Sequence, residues 1–96
     1  MKKDKQKVID EVWTEDHIRS FLDFRPHDGS DEDFHILLKA YQSMRADDFE
    51  LFVGMFTGQQ RNLNAAGRDG RTVLAIVGEH RKGEPYAKIL QAAGAQ

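Results

Sequence analysis

Two short stretches of the chain carry residue types that could do chemistry. The first is Gly67-Arg68-Asp69-Gly70-Arg71-Thr72, where two glycines, two arginines and a threonine precede an apolar run, as in a phosphate-binding loop. A P-loop needs four residues between its glycines, followed by lysine and then Ser or Thr. Here Arg68 and Asp69 alone separate Gly67 from Gly70, Arg71 stands in the lysine position, and Asp69 would repel a phosphate. A turn accounts for the same letters without a ligand: Asp69-Gly70 reverses the chain with a positive φ at the glycine, and the Thr72 hydroxyl caps the helix that follows.

The second stretch holds His27, Asp28, Asp31, Asp33 and His35 and suggests a metal site. Asp31 and His35 are four apart on one helix face, but Asp33 does not share that face. A calcium loop counted from Asp28 would place its glycine where Asp33 stands. Ser30 as an N-cap, followed by Asp31, Glu32 and Asp33 at the positive end of a helix dipole, explains the cluster better, and no metal is expected. Thr14, Ser30 and Thr72 all read as caps, so no Ser-His-Asp arrangement emerges. The carboxylate pairs Asp47 with Asp48 and Glu79 with Glu84 carry no sign of a shared pocket. No catalytic residue, enzyme activity or cofactor is therefore expected, and the lack of cysteine excludes a thiolate nucleophile, a disulfide framework and Cys-ligated zinc.

The elements that position these residues follow from apolar spacing. Residues 1–12, with Lys2, Lys3, Lys5 and Lys7, read as a flexible basic tail, and 13–96 as a single helical domain. With 96 residues, 40% of them hydrophobic and 31% charged, one modest core is affordable. Thr14 caps a helix over 14–25, with Trp13 and Ile18 as a hydrophobic staple and Ile18, Phe21 and Leu22 as its apolar stripe; Pro26 stops it. Phe34, Leu37, Leu38, Tyr41 and Met44 share one face of the next helix. Phe49, Phe52, Val53 and Phe56 line a third, which ends at Gly58. Val73, Leu74, Ile76 and Val77 fit a short buried helix better than a strand. Pro85 opens the last helix, whose stripe is Tyr86, Ile89 and Leu90. No stretch is long enough to span a membrane and no signal peptide is evident, so a cytoplasmic location and no membrane contact are expected.

An offset of 37 maps Leu37 to Leu74, Asp47 to Glu84, Phe49 to Tyr86, Phe52 to Ile89 and Val53 to Leu90. The fold class is thus all-α: an N-terminal capping helix and two stacked helix-turn-helix units, each supplying the surface the other needs to bury. Asn62-Leu63-Asn64-Ala65, Gly70-x-Thr72-x-Leu74 and Leu90-Gln91-Ala92-Ala93-Gly94-Ala95 resemble the loop, first helix and end of an ankyrin repeat over residues 62–95. The unit at 33–64 is a poorer match. Val73 stands where proline is usual, Ala75 where histidine is usual, and Arg81-Lys82-Gly83 lengthens the inter-helix turn. With its lysine-rich start, Arg45-Ala46-Asp47-Asp48-Phe49-Glu50 and Gly83-Glu84-Pro85-Tyr86, the whole chain resembles a family of small bacterial proteins, a resemblance that implies no activity.

The net charge of −2 conceals an asymmetry: residues 1–50 hold 8 Lys+Arg against 13 Asp+Glu, and residues 51–96 hold 6 against 3. In stacked hairpins the loop tips and first helices line one face, which would gather Arg68, Arg71, Arg81 and Lys82. These four are the candidate docking surface for another protein with an acidic surface, on a chain expected to be monomeric. The alternative is nucleic acid, a metal or a small ligand on the arginine loop or the acidic turn. The acidic balance, a pI near 6.0 and the absence of aromatics among the basic residues make nucleic acid the weaker choice.

Overall fold

In the computed structural model, residues 13–26, 29 and 31–96 are described; the basic tail, His27, Asp28 and the expected cap Ser30 lie outside the described residues. Five α-helices follow one another: α1 (Glu15–Ser20), continued by a 3-10 turn (Phe21–Asp23), α2 (Glu32–Ser43), α3 (Ala46–Gly58), α4 (Val73–Gly78) and, after a second 3-10 turn (Arg81–Gly83), α5 (Glu84–Ala92). The described residues contain no strand, only an isolated antiparallel bridge between Ala66 and Thr72. The fold is all-α, with its helices stacked.

Local sequence sets each boundary. Thr14 accepts from His17 N as the N-cap of α1, while Trp13 stacks on the His17 ring at 4.3 Å and nearly parallel. The expected helix over 14–25 is shorter than its stripe implied: it tightens into the 3-10 turn at Phe21 and leaves helical geometry at Phe24, two residues before Pro26, which bars Arg25 from resuming the helix. Asp31 caps α2 through its carboxylate, which accepts from Phe34 N at 3.1 Å, so the helix begins one residue later than a Ser30 cap would place it. Thr72 caps α4 as expected, accepting from Ala75 N. At the end of α3, Gln60 takes φ +61, and Gln60 N and Arg61 N donate to Thr57 O and Phe56 O. That is a Schellman closure made without glycine. Gly94, at φ +112, closes α5 in the same way through Ala95 N and Leu90 O.

One core runs through the molecule. Phe49, Phe52 and Phe56 on α3 are fully buried, together with Ile36, Leu37, Ala40, Val73, Val77 and Leu90. Ile18, Phe21 and Leu22 join them, so the N-terminal helix caps the stack as its stripe predicted, with α1 against α3 and the 3-10 turn against α2. The deep stripe of α2 is Ile36, Leu37, Ala40 and Met44, whereas the expected Phe34, Leu38 and Tyr41 are half-buried on its flanks. α2 is wedged between the 3-10 turn, α3 and α4, so its apolar face is wider than one stripe. α3 lies on α5 and α2 on α4, pairing the two hairpins helix for helix. The offset of 37 holds at depth: Ile36 and Val73, Ala40 and Val77, and Val53 and Leu90 are buried in both units.

Candidate protein-docking edge

Stacking the hairpins creates two edges, and charge is handled differently on each. The loop edge joins the start of α2, the end of α3 and the segment before α4. There the Asp33 carboxylate accepts from Arg61 Nη1 at 2.8 Å and from the Asn62 backbone N at 2.9 Å. Glu32 receives Arg61 at 3.1 Å and Arg25 at 3.4 Å. The Arg61 side chain is 18% exposed. Burial alone would ease its deprotonation, but hydrogen bonds to Asp33 and Glu32 outweigh that and hold the guanidinium above its ordinary range.

The Gly67–Thr72 loop sits on the same edge and is a turn. Gly67 N donates to Arg71 O and Gly70 N to Gly67 O, both at 2.9 Å, and Gly70 takes φ +85. Gly67 lies against the Phe34 ring: a Cβ there would sit 2.7 Å from Phe34 Cζ, so the ring would have to shift. Asp69 accepts from the Arg71 backbone N at 3.1 Å and from its Nε at 2.8 Å, and both interactions pull its carboxyl below the usual range, the backbone bond more strongly. Arg71 Nη1 reaches both Glu79 oxygens at 2.7 Å. Of the four expected docking cations, Arg71 is thus bound to the two acids nearest it in the fold, and Arg68 is exposed near the loop tip.

The turn edge joins the end of α2 to the start of α3 and the end of α4 to the start of α5. Two bonds tie these turns side by side. Tyr86 Oη donates to Met44 O at 2.6 Å, and Tyr41 Oη meets His80 Nδ1 at 2.6 Å with the rings parallel. Tyr86 stands edge-on to Tyr41 at 5.0 Å, and burial, with Tyr41 and Asp47 adding to it against Arg45, raises its phenol above the usual range. Gly83 lets the second turn close, since a Cβ would strike the Val77 carbonyl and sit 2.8 Å from Val77 Cγ1. Arg81 and Lys82 project from this turn and Arg45 from its neighbour; all three are exposed, and none has an ion pair among the described residues.

The fold therefore keeps Arg81 and Lys82 together and sets the backbone of Arg68 and Arg71 at the other end of α4, whose six residues span about 9 Å, with the Arg71 guanidinium reaching along the helix to Glu79, where it is paired. Arg45 belongs with Lys82, and the offset of 37 already pointed to it, since 45 maps onto 82. The described acids of that turn are likewise committed to structure, with Asp31 capping α2 and Asp33 engaging Arg61. No group of His, Asp or Glu among the described residues is arranged to hold a metal ion. Nor is any described helix long and apolar enough to cross a membrane. Compared with protein-family models, curated proteins and solved structures, the chain matches none.

Proposed function

We propose that this chain is a small protein-protein interaction module, ankyrin-like in build, whose turn edge docks an acidic surface of another protein. The observation that carries the reading is the cluster of Arg45, Arg81 and Lys82 in two adjacent, hydrogen-bonded turns, none of them in an ion pair among the described residues although Asp47 and Glu84 lie nearby in sequence, beside an edge where Arg61 and Arg71 are paired. Cations left without fold partners on a rigid edge raise the rate of encounter with an acidic partner and set its register. The ankyrin-like build is supported by the Thr72 cap, the left-handed Gly70 in the loop before it, and the Gly94 closure of α5.

The test is affinity capture from cell extract with wild type and Arg81→Glu/Lys82→Glu in parallel. A partner retained at low salt, released as salt rises and lost in the double reversal, with both proteins melting alike, supports the reading. A melt raised by Zn²⁺, Mg²⁺, ATP or a short duplex would replace it with a ligand-binding function, since a ligand at 100 times its Kd adds about 2.7 kcal/mol.

A further inference from the structure

A second surface lies on the outer face of α3, where a groove of about 220 Å³ runs between α3 and α5. Val53, Gly54, Ile89, Ala92 and Ala93 are its apolar lining, joined by Glu50 and Thr57. It is smaller than the cavities of about 300–1,000 Å³ that enclose small molecules, and it suits a single apolar side chain presented from a partner backbone. Leu51, 47% exposed, extends the apolar surface on the same helix. The Thr57 hydroxyl is already bonded to Val53 O and Gly54 O, so the groove offers no competing donor there.

Gly54 indicates close approach from outside. It sits in the interior of α3, where glycine destabilises a helix relative to alanine. Its φ is not positive, and a Cβ built on it meets nothing within 4 Å, so the fold itself does not require glycine here. Charge then selects the occupant. α3 carries Asp47, Asp48 and Glu50 and no Lys or Arg, and none of these carboxylates has an ion pair among the described residues. A second copy docked groove to groove would bring only Lys88 of α5 to them, and that lysine already pairs with Glu84 at 3.6 Å.

We propose that the α3–α5 groove receives an amphipathic helix of a partner protein, with an apolar side chain over Gly54 and lysine or arginine opposite Glu50. Helix-in-groove docking of this kind needs an apolar anchor and a charge that fixes register. The groove lining shares no residue with the turn-edge cations and its one charged residue, Glu50, is of opposite sign, so the proposal stands or falls independently of the docking function proposed above.

The probe is a synthetic helical peptide of Ala, Leu and Lys, with lysines flanking a leucine stripe, titrated into the full ¹⁵N-labelled chain. Binding should shift the amide resonances of Glu50, Leu51, Gly54 and Ala93. Gly54→Leu, which fills the groove, and Glu50→Lys should each weaken the Kd at least about tenfold, while Gly54→Leu melts no lower than wild type; Gly54→Ala serves if it does. Absence of binding, an unchanged Kd in both Gly54 variants, or equal binding of the same peptide with Glu in place of Lys overturns the proposal. So do α3 resonances that move with protein concentration alone, which would assign the groove to a second copy. Tighter peptide binding after Lys2, Lys3, Lys5 and Lys7 are replaced by Glu would assign it to the chain's own basic segment, and also overturns it.

Discussion

The loop edge and the turn edge are built from the same residue types and use them in opposite ways. At the loop edge, Arg61 lies against Asp33 and Glu32, and Arg71 is clasped between Asp69 and Glu79. At the turn edge the hydrogen bonds come from neutral groups, Tyr86 to the Met44 carbonyl and Tyr41 with His80, and the cations point away. A charge with a fold partner fixes chain geometry, whereas one held beside a rigid neutral scaffold is available to something else.

Mutations at the loop edge should therefore cost stability. Asp33→Ala leaves Arg61 without its shortest ion pair and the Asn62 N–H without its acceptor, at a cost of about 2 kcal/mol. Thermal melts should fall by roughly 8–16 °C, and an unchanged melt would break the comparison. Gly67→Ala drives a methyl into the Phe34 ring and should cost about 1–2 kcal/mol, read as a lower denaturant midpoint at constant slope.

At the turn edge, Tyr86→Phe removes one hydrogen bond to a backbone carbonyl and should cost about 1 kcal/mol. It also removes a pH dependence. Burial raises the folded phenol above its unfolded value, so its contribution is complete below the ordinary tyrosine range and is lost as pH rises through the folded value. Melts of wild type should therefore fall more steeply in alkali than those of Tyr86→Phe. The smallest effect belongs to Arg81→Glu/Lys82→Glu, which should leave stability within about 0.5 kcal/mol. A larger loss would show that these cations serve the fold.

Much of this architecture was legible in the sequence because apolar spacing and cap residues act locally. Thr14, Thr72 and Gly70 behave as their types dictate, and of the pairs the offset of 37 gave, Val53 and Leu90 are buried in both hairpins while Leu74, Tyr86 and Ile89 are only half-buried. Pairing was not legible. Asp33 and Arg61 are far apart in sequence, and Arg71 and Glu79 meet because α4 is short enough for one side chain to run its length. Residues 68, 71, 81 and 82 form one basic group in sequence and two in space. The groove beside Gly54 was equally hidden, since it is made by α3 and α5 together.

The central claim is that the turn edge, and not the arginine loop, receives an acidic partner. An NMR titration of the full ¹⁵N-labelled chain with a polyglutamate peptide addresses it most directly. The account predicts shifts centred on Arg45 and on residues 80–83, diminishing as salt rises toward screening lengths of about 3 Å at 1 M and abolished by Arg81→Glu/Lys82→Glu. Shifts centred on residues 67–71 that survive that double reversal would contradict it.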